Sequence, residues 1–175
     1  MSAPRSVATL RPAVWPGDAA AVRGLLRDYA ASLSVDLGFQ DFEAELAGLP
    51  GDYAPPGGVL MLAFVDDVPA ACGALRPLSG VAEADASEMK RLYVRPPFRG
   101  LGLGRALAEA LLAQARRSDR SAVYLDTLAE MADAQGLYVR LGFVDVPPYR
   151  FNPVAGTRFM KIRLGPATAP GESGG

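Results

Sequence analysis

Apolar positions in the first third of the chain recur at helical spacing. Val22, Leu25, Leu26, Tyr29 and Leu33 predict a helix over Ala19 to Leu33 with one buried face. A short strand, Val7 to Arg11, precedes it, and Asp18 stands where an N-cap belongs after the Trp15-Pro-Gly turn. Beyond the Ser34 to Gln40 connection, Asp41 heads a second, shorter helix, Phe42 to Leu49, which Pro50-Gly51 stops. After the loop Asp52 to Gly58 the apolar residues run continuously, as in buried strands. Val59 to Val65 and Pro69 to Leu75 read as a hairpin around Asp66-Asp67. A connection from Arg76 to Ala86 leads to a strand, Glu88 to Val94. Next come a glycine-rich turn and a helix from Gly104 to Ser118, with Leu107, Ala110, Leu111 and Ala115 inward. The strand Ala122 to Thr127, a helix from Met131 to Leu141 ended at Gly142, and closing strands Phe143 to Val146 and Arg158 to Leu164 complete the order β-α-α-β-β-β-α-β-α-β-β. Residues 1–164 are expected to form one domain. Gly165 to Gly175, with little to bury, is expected to be a disordered tail.

The junction Arg95-Pro-Pro-Phe-Arg99-Gly-Leu-Gly-Leu-Gly104-Arg105 carries the strongest chemical signal. Gly100, Gly102 and Gly104 permit close backbone approach where a strand hands over to a helix. The helix start presents unpaired N–H groups and partial positive charge, which suits a phosphate. Arg95, Arg99 and Arg105 add cationic donors. Gly104 is followed by Arg-Ala rather than Lys-Ser/Thr, so this is no P-loop, and the glycine spacing is not that of a dinucleotide fingerprint.

Arg99 to Gly104 instead resembles the Arg/Gln-x-x-Gly-x-Gly/Ala signature of the GNAT-type N-acetyltransferase superfamily. Ala134-Gln-Gly-Leu-Tyr138-Val-Arg-Leu-Gly142-Phe143 is similar to that family's second motif, Ala-x-x-Leu-Tyr-x-x-x-Gly-Phe. The two stand in the family's order, and the resemblance runs from about Ser6 to Leu164. It implies an α+β acyl-CoA N-acyltransferase fold, a mixed, mostly antiparallel sheet splayed between the strands on either side of the glycine turn and its helix. It also implies transfer of an acetyl group from acetyl-CoA directly to an amine in a ternary complex. A non-catalytic acyl-CoA-binding sensor or partner domain is the alternative.

Composition narrows the chemistry further. Lys and Arg total 18 against 19 Asp and Glu, with no basic run, so nucleic acid is not an expected partner. No apolar stretch approaches membrane-spanning length, and a cytoplasmic protein, monomeric or homodimeric, is expected. Cys72 is the single cysteine, which excludes an intrachain disulfide and a multi-cysteine zinc site; within Ala70 to Leu75 it reads as a small buried residue. There is no histidine, so any proton transfer falls to a carboxylate, Tyr, Lys or water, and no metal site is expected.

The resemblance then assigns roles. Leu92 and Val94 would offer main-chain groups to the pantetheine arm, while Arg99, Gly100, Leu101, Gly102, Leu103, Gly104 and Arg105 would hold the pyrophosphate. Tyr138 would protonate the departing thiolate. Glu88 would take the amine's proton directly or through water, with Asp126 as second choice. Asp126 has a competing role as a helix cap, and Glu88 as a solvated strand end. Met131 stands where the family commonly has Asn, which shifts contacts with the cofactor's middle to backbone or to Thr127 and Gln135. Tyr149 and Asn152 are candidate walls of an acceptor pocket, and the acceptor is an amine on a small molecule or a peptide.

Overall fold

The computed structural model describes residues 6–165, so the expected tail lies, from residue 166 on, outside the described residues. Seven strands form one sheet: β1 (Ala8–Pro12), β2 (Val59–Val65), β3 (Val68–Leu78), β4 (Ala86–Val94), β5 (Ala122–Thr127), β6 (Val144–Asp145) and β7 (Arg158–Arg163), in the spatial order β1-β2-β3-β4-β5-β7-β6. Every neighbouring pair is antiparallel except β4 and β5. Four helices flank the sheet: α1 (Ala19–Ser32), α2 (Phe42–Ala47), α3 (Leu103–Arg117) and α4 (Ala132–Leu141). The expected element order and the splayed mixed sheet are both present. Boundaries differ by up to three residues, most at β3, which continues to Leu78.

Each side of the sheet has its own core. Val22, Leu25, Leu26 and Tyr29 of α1 pack with Phe42 and Leu46 of α2 on Leu60, Leu62, Cys72 and Tyr93 of the sheet. On the opposite face Leu111 and Leu112 of α3 and Leu137 and Tyr138 of α4 cover Met89, Val123 and Leu125. The Asp66-Asp67 turn has positive φ at both residues, as a two-residue type I′ hairpin requires. Asp18 occupies the N-cap position but makes no cap; its carboxylate is taken by the Val14 N–H and by Arg11.

Two irregularities in β4 open and line the space between the central strands. Its pairing with β5 covers only Ala86, Ser87 and Glu88, after which the two strands part. Its pairing with β3 slips between Cys72 and Ala74, so that Arg91 and Leu92 together face Gly73. Arg91 has a φ of 60°, the left-handed region, and this is a β-bulge. The extra residue resets the alternation: Lys90 and Arg91, adjacent in sequence, both project to the α1/α2 side. Met89 and Leu92 face α3 and α4, and Tyr93 faces α1.

Candidate active site

The parting of β4 from β5 leaves a slot through the sheet. Met89, Lys90, Arg91 and Leu92 line it from β4, Asp126, Thr127, Leu128 and Met131 from the end of β5 and beyond, Tyr138 from α4, and Tyr29, Leu37 and Gln40 from the α1/α2 side, with Asn152 from the loop before β7. On β5, Val123 and Leu125 face α3 and α4, so alternation puts Asp126 on the other face with Tyr124. The slot therefore has Tyr138 at its α4 end and Asp126 and Lys90 at its α1/α2 end.

The turn at the head of α3 has the features of an anion cradle. Gly100 and Gly102 adopt φ of 82° and 77°, which L-residues resist. Among the described residues no side chain caps α3, and the first backbone bond to its N-cap is Ala106 N–H to the Gly102 carbonyl, leaving earlier amides for a ligand. Gly104 lies inside the helix, and a Cβ there would meet only ordinary contacts, so it carries no backbone requirement. Leu101 is exposed and Leu103 buried, and neither side chain brings a polar group to the turn. The arginines are partly committed elsewhere. Arg95 pairs with Asp28 of α1 at 2.7 Å and Arg105 with Glu109 at 2.9 Å, whereas Arg99 is anchored through Nε on the Val94 carbonyl at 3.1 Å.

Arg95 N–H bonds the Ala70 carbonyl on β3, so alternation turns the main-chain groups of Val94 and Leu92 to the opposite edge, toward the slot. The Val94 carbonyl is already occupied by Arg99, and Leu92 keeps a place in the slot's lining.

Tyr138 is buried, and its ring packs against Phe143 with centroids 5.6 Å apart. Its hydroxyl makes no hydrogen bond with another described residue. Burial, with Tyr29 and Asp126 near, pushes the phenol above its ordinary pKa, so it stays protonated and able to donate.

Glu88 and Asp126 are placed very differently. Glu88 is 0% exposed and is not part of the slot's lining. Its Oε1 accepts from Arg76 at 2.9 Å; its Oε2 accepts from Arg150 at 2.6 Å and from the Tyr149 hydroxyl at 2.7 Å. It is thus the hub of a buried network rather than a solvated strand end. Asp126 faces the slot with a single side-chain bond among the described residues, Asn152 Nδ2 to its Oδ2 at 3.2 Å, and does not cap α4, whose N-cap is Met131. Thr127 lines the slot, whereas Gln135 is spent on the Leu128 carbonyl at 2.8 Å. Asn152 is in the lining; Tyr149 is not, its hydroxyl being held by Glu88. Cys72 is buried, donates to the Arg91 carbonyl at 3.3 Å and has its thiol pushed up to about 12 by burial, as an inert core residue should.

Four polar lining residues were not foreseen: Tyr29, Gln40, Lys90 and Arg91. Arg91 forms a two-point ion pair with Glu45 of α2, at 2.9 and 3.1 Å, donates to Gln40 Oε1 at 2.9 Å, and lies over the rings of Phe42 and Tyr29. Tyr53 closes the network by donating to Glu45 at 3.0 Å. Lys90 is 6% exposed, and burial pushes its pKa down to about 8.

A model of the acetyltransferase (GNAT) family matches residues 22–143. An N-acetyltransferase of Schizosaccharomyces pombe is 34% identical over 150 residues, covering 85% of this chain and 90% of the relative. One of Escherichia coli is 31% identical over 128 residues, covering 73% of this chain and 75% of its own. Among solved structures, a Staphylococcus aureus acetyltransferase of the GNAT family has a TM-score of 0.74 at 17% identity, over 91% of this chain and all (100%) of that one. A Salmonella typhimurium protein solved with its cofactor acetyl-CoA has a TM-score of 0.67 at 21% identity, over 94% and 98%. The chain belongs to the GNAT family and is an N-acetyltransferase. No helix among the described residues is long and apolar enough to cross a membrane.

Proposed function

We propose that the chain transfers an acetyl group from acetyl-CoA to an amine by direct attack within a ternary complex, with Asp126 as the proton acceptor and Tyr138 as the proton donor. The opening of the sheet between β4 and β5 supports this most, since it separates the two groups onto opposite sides of one slot. The amides at the head of α3 and the glycines before it would hold the pyrophosphate, and Leu92 main-chain groups would hold the pantetheine arm and the thioester oxygen. Acetyl-CoA would supply an acyl carbon activated as a thioester.

Asp126 accepts a proton from the amine as the new C–N bond forms, and Tyr138 gives its proton to the sulfur as the C–S bond breaks. The Leu92 amide faces the charge that develops on the carbonyl oxygen. Glu88, with all its bonds satisfied away from the slot, serves in this reading to hold Arg76, Arg150 and Tyr149 under the point where the strands part.

Single-turnover acetylation with Asp126→Asn against a broad amine panel tests the assignment. The rate should fall about a hundredfold, with acetyl-CoA affinity measured calorimetrically unchanged. A wild-type rate would remove Asp126 from the reaction, and acetyl-CoA that binds without any acceptor releasing thiol would favour the non-catalytic binding module.

A further inference from the structure

Lys90 is the one buried cation of this region without a carboxylate partner among the described residues. Arg76 and Arg150 share Glu88, and Arg91 is matched to Glu45. Around the slot, four cations thus meet three carboxylates once Asp126 is counted. Among the described residues Lys90 Nζ has a single hydrogen bond, a long one of 3.3 Å to Gln40 Oε1, and that oxygen is already shared with Arg91. A lysine ammonium carries three donors, and burying a charge without a counter-charge is costly. The bulge aims this group into the α1/α2 end of the slot, on the same face as Asp126.

We propose that Lys90 is an anion subsite within the acceptor pocket, and that the acceptor is therefore an amine carrying a carboxylate a few bonds from its nitrogen, as in an α-amino acid. The inference rests on the acetyl-transfer reading above. Asp126 faces the amine and Lys90 the carboxylate, so a zwitterion is matched at both ends. A carboxylate fits better than a phosphate: one ammonium is available there, the neighbouring guanidiniums are spent, and a dianion calls for several donors. Burial lowers the proton affinity of Lys90 despite the opposing pull of Glu88 and Asp126, neither of which bonds it, and an anion in direct contact would raise it again.

The test compares α-amino acids with their α-carboxamides as acceptors. An amide's amine is less basic and more often neutral, so without a carboxylate subsite the amides should react faster. The expected result is a kcat/KM at least about tenfold higher for the acid of the best pair, the worth of one charge-assisted hydrogen bond. Lys90→Met should reduce that preference to within about twofold while leaving the affinity for acetyl-CoA unchanged. Equal or faster turnover of amides by the wild type overturns the proposal, as does a preference that survives Lys90→Met, or a variant that loses both classes equally because Lys90 merely holds Gln40. Calorimetry of an N-acetyl amino acid and its carboxamide with CoA-loaded protein reads the subsite without turnover. Tighter binding of the acid there, with no acetylation of any amine, would sink the transfer reading alone; equal affinities would sink the subsite.

Discussion

Replacing Glu88 by Gln keeps the shape of the side chain and removes its charge, which separates a structural hub from a base. The carboxylate is fully buried and faces two guanidiniums and a phenol. After the change Arg76 and Arg150 share no counter-charge, and the new amide nitrogen points a donor at groups that are themselves donors. Breaking a buried pair by neutralising one partner costs about 3–5 kcal/mol. For a domain of this size each kcal/mol is worth about 2–4 °C, so the melting temperature should fall by about 10 °C. Urea titration should show a lower midpoint with an unchanged slope, the sign of lost stability rather than an altered denatured state. Below its melting range, at saturating substrates, the variant should keep a single-turnover rate within about tenfold of wild type, since in the proposed reaction Glu88 transfers no proton. A variant that stays within about 1 kcal/mol of wild type while its single-turnover rate falls a hundredfold would refute the reasoning and return the base role to Glu88.

Tyr138→Phe keeps the ring against Phe143, so melting should hold, while single-turnover acetylation falls about a hundredfold and cofactor affinity does not change; a wild-type single-turnover rate would dismiss the acid role. Lys90 gives a pH signature of unusual sign. Its pKa falls from 10.5 to about 8 in the fold under burial, eased by Glu88 and Asp126 and reinforced by Arg91 and Arg76, with neutral Gln40 as its hydrogen-bond partner. Between pH 8 and 10.5 the unfolded chain keeps a proton that the folded chain has released, so this group's contribution to stability rises with pH, by up to about 3 kcal/mol. Cys72, raised from 9.0 to about 12, acts oppositely above pH 9, so the quantity to measure is the difference between wild type and Lys90→Met; a flat difference over that range counts against the burial effect. Gly73→Ala would set a Cβ 2.9 Å from Leu111 Cδ1 and 3.1 Å from Leu92 Cδ1, so about 1–2 kcal/mol of stability should be lost and acetyl-CoA affinity should drop as Leu92 shifts. Unchanged denaturation and affinity would mean that the two leucines yield freely.

The strands, the helices and the glycine turn were legible because each is a local pattern: helical spacing in α1, continuous apolar runs in β2 and β3, glycines where φ turns positive at Gly100 and Gly102. Glu88 was legible as a carboxylate on the right strand but not as a hub, because Arg76, Tyr149 and Arg150 reach it from β3 and from the loop before β7, and no periodicity encodes that meeting. Asp126 was foreseen with two roles, and only the face it occupies bears on the choice between them. Lys90 and Arg91 did leave a trace. Two adjacent charges inside a strand destined for burial cannot both follow simple alternation, so either one charge is buried in the apolar core or the strand slips a residue.

That slip ties the parts of the site together. A regular β4 would send Lys90 and Arg91 to opposite faces, burying one charge among Leu111, Leu125 and Tyr138. With the bulge, both cations lie on the α1/α2 face, and the ion pair of Arg91 with Glu45 anchors α2 beside the slot. The same slip leaves room at Gly73 only for a hydrogen, since Leu92 and Leu111 fill the space where a side chain would go. Leu92, turned back toward α3, then meets the slot one residue beyond the cation that anchors α2. In the proposed reaction, acceptor-side and cofactor-side walls would consequently be built from consecutive residues of one strand. Moving either should disturb the other, which couples the position of α2 to the main chain at Leu92 without any intervening element.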